Sequence, residues 1–467
     1  MPESPLVSRT TLSSQSIERR SFYRRMIAIA FPILVQSLLN NALSFVDTLM
    51  IGQLGEAAIA AVSLANQMFF LIALLFFGVA SGTSIFLSQY WGAKDDRYIR
   101  KIMALSLVFV TFSASVFALV SLLVPEAVMH IFTREAQVVS GGVSYLKIVA
   151  ISYIFSAITQ IFSTALRVTG HAKTPLKIAL LALSLNAVGN YLLIFGIGPF
   201  PVLGIAGAAL ATTLSRLVEV VLLLIVVYRK HPHLAIRDRE AFRWPRPFIR
   251  HVVPTSLPVL FNEVAWALGI ITYEIAYSRI GIDAIAAVNI TENIGNLFFV
   301  ALQGLSNATL IMIGIKIGEH DYPLARRWSW RFVLVAVTVG AVMGGFELFF
   351  APFFAGMFKI GAELRATVGR LLTVNAMILP FRAFNLIVIV GILRAGGDTR
   401  FSMFAEMFGV WGIGVPLAFI GVLFLNLPIV PLYILVAMEE VFKLLIGLGR
   451  LKSGKWLNDL TVHAHEV

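Results

Sequence analysis

The residues of this chain that could do chemistry are acids and amides set inside long apolar segments. Within residues 26–51, Gln36, Asn40, Ser44 and Asp47 follow one another at intervals of four, four and three positions. Residues at these intervals share one face of a helix. A carboxyl group in an apolar environment is costly unless it is protonated, paired or bound to a cation. The stripe therefore predicts a cation- or proton-binding site, with helix–helix hydrogen bonding as the alternative for Gln36 and Ser44.

A comparable set of acids lies in the second half of the chain. Glu263 and Glu274 are eleven positions apart, which places them on nearly the same helical face. A further stripe of helical spacing comprises Asn289, Glu292, Asn293 and Asn296. Ionised carboxylates at such positions need a partner, so we expect these acids to be functional or to form ion pairs.

Arg382 is the one strongly basic side chain that we expect deep in the first four apolar segments of the second half, at residues 251–279, 284–316, 330–352 and 370–393. It is followed by Asn385 and preceded by Pro380, which removes a backbone donor and can kink a helix. We expect Arg382 to pair with Glu263 or Glu292. The pair is either a static structural contact or one that breaks when the carboxylate takes a proton and so favours one conformation.

Amides and hydroxyls in the first half could complete a site around Asp47. Asn186 and Asn190 share a helical face and cannot titrate, but they could offer carbonyl oxygens to a cation or hydrogen bonds to Asp47, and Thr212 could join them. Arg216 and Glu219, one turn apart, are interpreted as a structural ion pair. The residues expected to contact a substrate are Gln36, Asn40, Asn66, Trp266, Tyr273, Asn289, Asn293 and Asn385.

Enzymatic machinery is not apparent in the sequence. There is no His-Glu-x-x-His motif, no plausible catalytic triad and no cysteine. Residues 449–456 have the spacing of a phosphate-binding loop but lack its final Ser or Thr and follow an apolar segment rather than a strand, so we interpret them as a basic tail. His463 and His465 lie in the same tail, where a metal site is not expected. We predict a protein that is not an enzyme and has no metal or cofactor, and its energy would come from an ion gradient or a partner subunit.

The elements that must position these residues are membrane-spanning helices. The chain of 467 residues is 58% hydrophobic and only 13% charged, with a mean hydropathy of +0.86, which no soluble globular protein of this size would show. Segments of about twenty apolar residues can cross a bilayer. Twelve are predicted, at residues 26–51, 58–90, 102–124, 143–166, 175–197, 203–228, 251–279, 284–316, 330–352, 370–393, 401–424 and 428–449.

Positive charges predict the orientation. Of the 37 Lys and Arg residues, 28 fall in the tails and connections on one side, six on the other and three within spans. This asymmetry places both termini in the cytoplasm. It also explains the net charge of +12 through contact with anionic lipid headgroups rather than nucleic acid.

The chain contains an internal repeat. Pro32 matches Pro258 and Gly55 matches Gly281, both 226 positions apart, and the same register joins residues 58–62 to 284–288. It continues through the pairs Gly78/Gly304, Gly92/Gly318, Asp95/Asp321 and Arg100/Arg326. Six spans separate the repeats, so both halves have the same orientation and the axis that relates them runs along the membrane normal.

The fold predicted from these observations is an all-α integral membrane protein of twelve helices in two pseudo-symmetric six-helix lobes. Its parts would be a cytoplasmic tail (1–25), an N-lobe (26–228), a basic cytoplasmic linker (229–250), a C-lobe (251–449) and a second cytoplasmic tail (450–467).

Four short motifs resemble those of a known transporter family. They are Phe45-Val-Asp-Thr-Leu-Met-Ile-Gly-Gln-Leu-Gly55, Leu166-Arg-Val-Thr-Gly-His-Ala-Lys-Thr-Pro175, Leu203-Gly-Ile-Ala-Gly-Ala-Ala-Leu-Ala-Thr212 and Leu393-Arg-Ala-Gly-Gly-Asp-Thr399. With the twelve-span duplication, the set in this order resembles the multidrug and toxic compound extrusion (MATE) family over nearly the whole chain after residue 25.

The resemblance implies a V-shaped pair of lobes that exports cationic or amphipathic organic compounds in exchange for protons or sodium ions. Asp47 matches the family's first-helix acid, and Asn186 and Thr212 look like its partners. Asn190 stands where some members have a second acid, which disfavours a sodium or two-acid site in the N-lobe. Glu263 resembles the helix-7 acid of bacterial members.

At the family's helix-10 acid position this chain departs from the pattern, because Arg382 and Asn385 stand there instead. We therefore expect proton coupling through Glu263, modulated by Arg382. The alternatives are a sodium-coupled antiporter, a flippase for a lipid-linked substrate and, least favoured, a receptor or scaffold that does not transport. The expected setting is a bacterial plasma membrane, as a monomer in contact with lipid and small organic cations.

Overall fold

The computed structural model describes residues 5–462, with side chains from residue 17 onward; His463 and His465 lie outside this range. The described chain is helical throughout, without strands. The helices are α1 (Pro5–Gly52), α2 (Glu56–Gly92), α3 (Asp96–Leu123), α4 (Pro125–Phe132), α5 (Ala136–Val149), α6 (Ser152–Val168), α7 (Lys173–Phe195), α8 (Ile205–Lys230), α9 (Arg246–Ser278), α10 (Ile282–Gly318), α11 (Tyr322–Gly356), α12 (Ala362–Asn385), α13 (Thr399–Met407), α14 (Val415–Leu423) and α15 (Ile429–Ser453). Two π-helical segments, Leu386–Leu393 and Phe408–Gly414, extend α12 and join α13 to α14, and a single 3₁₀ turn covers Arg239–Phe242.

Most of these helices are long and apolar enough to cross a membrane. Ten such spans occur in the described range, and the pair α5 and α6, bent by 50°, makes an eleventh. α15 occupies the position of the predicted twelfth span, although Glu439, Glu440 and Lys443 in its middle lower its apolarity. The prediction of an all-α, multi-pass membrane protein is therefore confirmed.

Two acidic residues related by the internal repeat cap equivalent helices in the two halves. Asp95 accepts hydrogen bonds from the backbone N–H groups of Arg97 and Tyr98 and so caps the start of α3. Its repeat partner Asp321 accepts from Leu324 N at the start of α11. The register of loop charges in the sequence thus reflects duplicated helix caps.

The helices form two lobes, α1–α8 and α9–α15, that share a core only at one end. We call this the closed end, where α2 and α10 finish at Gly92 and Gly318. A large buried apolar cluster there includes Phe86 from the N-lobe and Ile313 from the C-lobe. Toward the other end each lobe has its own buried cluster. The lobes therefore diverge from the closed end in a V.

Small residues allow the lobes to approach at the closed end in a pseudo-symmetric way. A Cβ on Gly78 would lie 3.1 Å from Leu260 Cα across the lobe boundary. At the repeat-related positions, a Cβ on Gly304 would lie 2.9 Å from Ala30 O and 3.6 Å from Leu34 Cβ. Leu34 and Leu260 are themselves 226 positions apart, so the same contact is made twice, once by each half.

The predicted N-terminal tail is not separate from the first span, because α1 already begins at Pro5. The ring of Phe22 lies 5.5 Å from that of Trp328 and 4.8 Å from that of Phe332, both in α11. Glu18 forms an ion pair with Arg331 at 2.8 Å. The first turns of α1 therefore connect the N-lobe chain to the C-lobe.

The end of the chain also crosses the lobe boundary. We call residues 454–462 the C-terminal strap. Its Trp456 is fully buried. Gln89 of α2 accepts a hydrogen bond from Leu460 N at 2.7 Å and donates to Ala395 O at 2.8 Å and Asn458 O at 3.2 Å. One N-lobe amide thus holds both the strap and the C-lobe segment that follows α12.

Candidate functional site

The N-lobe contains a polar cavity of about 140 Å³ between α1, α2, α5, α7 and α8. Its polar lining residues are Ser44, Asp47, Thr48, Ser63, Asn66, Tyr145, Asn190 and Thr212. Asp47 is the one carboxyl group among the residues that line it. The sequence stripe on α1 reaches this cavity with Ser44 and Asp47, and the amides of α7 meet them from the opposite wall.

Asp47 is held by Asn190. Asn190 Nδ2 donates a hydrogen bond to Asp47 Oδ1 at 2.7 Å, and the same nitrogen lies 3.5 Å from Asn186 Oδ1. Asn186 in turn donates to Thr212 Oγ1 at 3.2 Å. The structure thus brings together all four residues that the sequence placed in the N-lobe site. Asn66 belongs to the same cavity and accepts a hydrogen bond from Tyr145 Oη at 3.3 Å.

One oxygen of this group has no partner. Asn190 is almost fully buried, and its Oδ1 atom makes no hydrogen bond within the described structure. A carboxylate needs donors and a carboxylic acid needs an acceptor, and an amide offers both. Asn190 can therefore donate to ionised Asp47, as seen here, and accept from protonated Asp47 after a small rotation. The same free oxygen could instead serve as a ligand to a small cation.

Two further contacts join polar side chains of the N-lobe spans. Gln36 accepts a hydrogen bond from Arg167 Nη2 at 2.9 Å, so its side chain is not free to contact a substrate in this arrangement. Arg216 and Glu219 form the ion pair expected from their spacing, at 2.8 Å. Asn40 is exposed.

The expected pairing of Arg382 with Glu263 is wrong. Glu263 Oε1 lies 2.8 Å from Arg394 Nη2, and the Arg394 side chain is 1% exposed. Arg394 Nη1 donates to Ser81 Oγ of α2 at 3.0 Å, across the lobe boundary. Sequence analysis assigned Arg394 to a cytoplasmic connection because it follows an apolar run. The π-helical segment before it instead continues the helix and carries Arg394 into the protein interior.

A group of ionisable and amide side chains, which we call the C-lobe polar cluster, occupies the interior of the second lobe. It comprises Tyr273, Glu292, Glu347, Asn375, Arg382, Asn385, Glu406, Tyr433, Glu439, Glu440 and Lys443. Lys443 lies 3.0 Å from Glu406 and 3.4 Å from Glu439. Glu439 Oε2 accepts a hydrogen bond from Tyr273 Oη at 2.5 Å. Tyr273 is therefore buried in the lobe rather than exposed to a substrate.

Arg382, also a member of the C-lobe polar cluster, contacts Glu440 and Asn375 rather than Glu263. Its Nε atom is 3.7 Å from Glu440 Oε1, and its Nη1 donates to Asn375 Oδ1 at 2.9 Å. Within the described residues no ion pair joins Arg382 to Glu292, so that expectation is also wrong. Asn385 donates to Glu440 Oε2 at 2.7 Å and is buried, which removes it from the residues able to meet a substrate directly.

Two polar stripes are exposed on the helices α2 and α10. In α2 the stripe contains Ser63, Asn66 and Gln67, and in α10 it contains Asn289, Asn293 and Asn296. Amide side chains in lipid would be costly, so these faces border a water-filled cleft. Trp266 of α9 is 42% exposed, as a residue that contacts an organic ligand must be. Glu292 is half-buried beside the α10 stripe.

Sequence reasoning missed most of the C-lobe polar cluster. Glu347, Glu406, Glu439, Glu440 and Lys443 all lie within predicted spans 9, 11 and 12. The signal that would have found them is the rule already applied to Asp47, since each is an ionisable residue in an apolar run.

Comparison with known proteins gives matches to a family model and to curated relatives. A family model described as MatE matches residues 32–192 and 258–420. The matches begin 226 positions apart, the offset of the internal repeat. Among curated proteins, "Uncharacterized transporter YisQ" of Bacillus subtilis is 25% identical over 434 residues, covering 92% of this chain and 94% of the relative. "Probable multidrug resistance protein NorM" of Thermotoga maritima is 24% identical over 438 residues, covering 93% of each chain.

Solved structures share the fold. A structure described as the "outward-facing conformation of a multidrug resistance MATE family transporter of the MOP superfamily" superposes with a TM-score of 0.83, at 18% identity, over 92% of this chain and 96% of the other. A "MOP superfamily transporter from Pyrococcus furiosus", described as having a binding pocket of reverse polarity, superposes with a TM-score of 0.81 at 19% identity and the same coverage.

Proposed function

Because this chain belongs to the MatE family of membrane transporters, we propose that it exports cationic or amphipathic organic molecules in exchange for protons, by alternating access. The observation that carries the proposal is the hydrogen bond of 2.7 Å between Asp47 and Asn190 in a polar N-lobe cavity. It places one titratable group between the membrane-spanning helices, next to an amide that can serve either of its protonation states.

The N-lobe cavity supports proton rather than sodium exchange. Asp47 is the one titratable carboxyl group among the lining residues, and Asn190 beside it can serve either of its protonation states. One observation favours the sodium alternative, namely the unpartnered Asn190 Oδ1 beside Asp47. Sodium coupling is therefore the second candidate.

The side of the membrane to which the cleft opens follows from the orientation predicted by the Lys and Arg distribution. If the basic side is cytoplasmic, the closed end of the V faces the cytoplasm and the polar cleft opens outward. A cationic substrate in the cleft would meet the amides of α2 and α10, the ring of Trp266 and the half-buried Glu292. A proton that enters from the outside would bind Asp47, and closure of the cleft would then reset the transporter.

Glu263 has a different role in this proposal from the one that the sequence predicted. It lies at the closed end, where Arg394 connects it electrostatically to Ser81 of the other lobe. Neutralising Glu263 would release Arg394 and weaken this contact. Glu263 would thus act on the opening of the closed end rather than as part of the substrate cleft.

The test is transport in proteoliposomes that contain the purified protein, with ethidium as the probe. We expect an imposed pH gradient to drive ethidium in the direction opposite to the protons, and an imposed sodium gradient to have no effect. We expect ethidium movement to cease in Asp47→Asn. Asp283→Asn, at an exposed position outside the cavity, is the matched control. Ethidium movement driven by sodium alone would replace the proton by sodium, and normal movement in Asp47→Asn would remove Asp47 from the mechanism.

A further inference from the structure

The charges of the C-lobe polar cluster do not balance. It contains five carboxyl groups and two cationic groups. Lys443 contacts Glu406 and Glu439, and Arg382 faces Glu440. Glu292 and Glu347 form no ion pair in the part of the chain that the structure describes. If all five acids were ionised, the interior of the lobe would carry an uncompensated negative charge, which is costly inside a membrane protein.

Glu347 is the acid whose surroundings fit an ionised state least. Its residue is 0% exposed, whereas Glu292 is half-buried beside the cleft. Glu347 Oε1 accepts one hydrogen bond, from Asn375 Nδ2 at 2.7 Å, and its Oε2 has no hydrogen-bond partner. A buried carboxylate with one neutral donor and no adjacent cation is strongly disfavoured relative to the protonated acid.

The cationic side chain linked to Glu347 is Arg382, and the side chain of Asn375 stands between them. Asn375 lies between Glu347 and Arg382, because it donates to the first and accepts from Arg382 Nη1 at 2.9 Å. Tyr433 Oη of α15 also lies 3.4 Å from Asn375 Oδ1. Arg382 is shared with Glu440, whose Oε1 is 3.7 Å from its Nε. That separation is longer than a hydrogen bond, so Arg382 is not held firmly at Glu440.

The other charged and titratable groups around this position come from three helices. α12 contributes Arg382, α15 contributes Tyr433 and Glu440, and α10 contributes Glu292, whose carboxyl group is close enough to Arg382 to feel its charge. Arg382 thus bridges Asn375 and Glu440 in this structure, and rotation of its side chain past Asn375 would bring the guanidinium to Glu347 and away from Glu440.

We propose that Glu347 is a second proton-binding site of the transport cycle, separate from Asp47 and coupled to it through the movement of the lobes. Glu347 holds a proton while Arg382 bridges Asn375 and Glu440, as in this structure. When Arg382 and Asn375 shift toward Glu347, its O–H bond breaks, the proton passes to water, and the carboxylate gains the guanidinium as its counter-charge. The reverse movement restores the acid. This inference rests on the proposed proton exchange and adds a second proton to it.

The first experiment detects the proton directly and does not depend on transport. Infrared difference spectra of the full chain in lipid, in mildly alkaline buffer, report the carbonyl band of protonated carboxyl groups. We expect a component of this band to be missing in Glu347→Gln and present in Glu363→Gln, a control at an exposed position on α12. An unchanged band in Glu347→Gln would overturn the proposal.

The second experiment counts protons released when an organic cation binds. Purified protein in weakly buffered solution receives tetraphenylphosphonium, and a pH-indicator dye records the release. We expect Glu347→Gln and Asp47→Asn each to release about one proton fewer than the unmodified protein, and the double variant to release none. Equal release by Glu347→Gln and the unmodified protein would make Glu347 a structural acid and overturn its part in the cycle.

The two experiments separate failure of this inference from failure of the proposed function. If the unmodified protein releases no proton but the infrared component is present, proton exchange itself fails and Glu347 is only a buried acid. If Glu347→Gln does not fold, Asn375→Leu tests the same link, because removal of the amide isolates Glu347 from Arg382. We expect Asn375→Leu to keep the infrared component and to lose its response to tetraphenylphosphonium; an unaltered response would contradict the relay through Asn375.

Discussion

Glu263 Oε1 lies 2.8 Å from Arg394 Nη2, and Arg394 Nη1 donates to Ser81 Oγ in the other lobe at 3.0 Å. Nη2 and Nε of Arg394 make no hydrogen bond of their own, so the contact with Glu263 is electrostatic. Arg394 is thus a buried cation whose counter-charge comes from one lobe and whose hydrogen-bond acceptor comes from the other.

Removal of Arg394 should destabilise the protein more than removal of both charges. Arg394→Met leaves Glu263 buried without its counter-charge, a change that typically costs about 3–5 kcal/mol. Glu263→Gln combined with Arg394→Met should lose much less, because no charge is left uncompensated. Thermal unfolding of the purified variants checks this, with Arg279→Met on the exposed end of α9 as control. A double variant as unstable as Arg394→Met would show that the ion pair is not what stabilises this contact.

The hydrogen bond to Asp47 should matter for transport but little for folding. Asn190→Ala removes the donor 2.7 Å from Asp47 Oδ1. A hydrogen bond to a charged group contributes about 1.5–3 kcal/mol, so we expect transport to weaken roughly tenfold to a hundredfold. Ethidium uptake at several pH values is the measurement. Asn41→Ala, on the same helix as Asp47 but exposed, should transport normally.

A disulfide across the closed end should lock the transporter. A Cβ on Gly82 would lie 3.1 Å from Ser256 Cβ in the other lobe, close to the spacing of about 3.5–4.5 Å found in disulfides. The chain has no cysteine of its own, so Gly82→Cys with Ser256→Cys is a clean pair. We expect rapid cross-linking, loss of transport and recovery on reduction. Transport by the oxidised pair at the normal rate would mean that the closed end does not open.

The C-terminal strap should favour the closed end. Gln89→Ala removes three hydrogen bonds that connect α2 to the strap and to the segment after α12. We expect slower cross-linking of the Gly82→Cys and Ser256→Cys pair in this background, because the lobes separate more often. Gln67→Ala, on the same helix but exposed in the cleft, should leave the cross-linking rate unchanged.

Histidines of the linker should make folding stability depend on pH. His231 is buried, and its ring lies 4.3 Å from that of His171 and 5.7 Å from that of His233. Burial, followed by the neighbouring His171 and His233, lowers the pKa of His231. The unfolded chain then binds a proton more readily than the folded one, so stability should be lost as the pH falls through about 6.5, the ordinary histidine value. Thermal unfolding at several pH values checks this: the difference between the unmodified protein and His231→Gln should be constant above that pH, and the unmodified protein should lose stability relative to the variant below it.

Much of this architecture could be predicted from the sequence by itself. Apolar length and the Lys and Arg asymmetry predict the spans, and the repeat of 226 positions predicts two related lobes. Intramembrane polarity identified Asp47, Asn186, Asn190 and Thr212, which the structure brings into one group. The prediction of this group succeeded because a polar side chain in an apolar segment needs a hydrogen-bond or ionic partner, and helical periodicity determines the face on which that partner must lie.

Partner identity was decided only by the tertiary structure. From the sequence, Glu263 could pair with any cationic side chain on a neighbouring helix. The π-helical segment before Arg394, which no local sequence pattern predicts, turns Arg394 toward the interior, so Arg394 rather than Arg382 pairs with Glu263. Likewise the contact of Leu260 with Gly78, and the strap around Gln89, join residues far apart in sequence. Helix periodicity fixes which face a residue occupies, but packing between helices sets which faces meet.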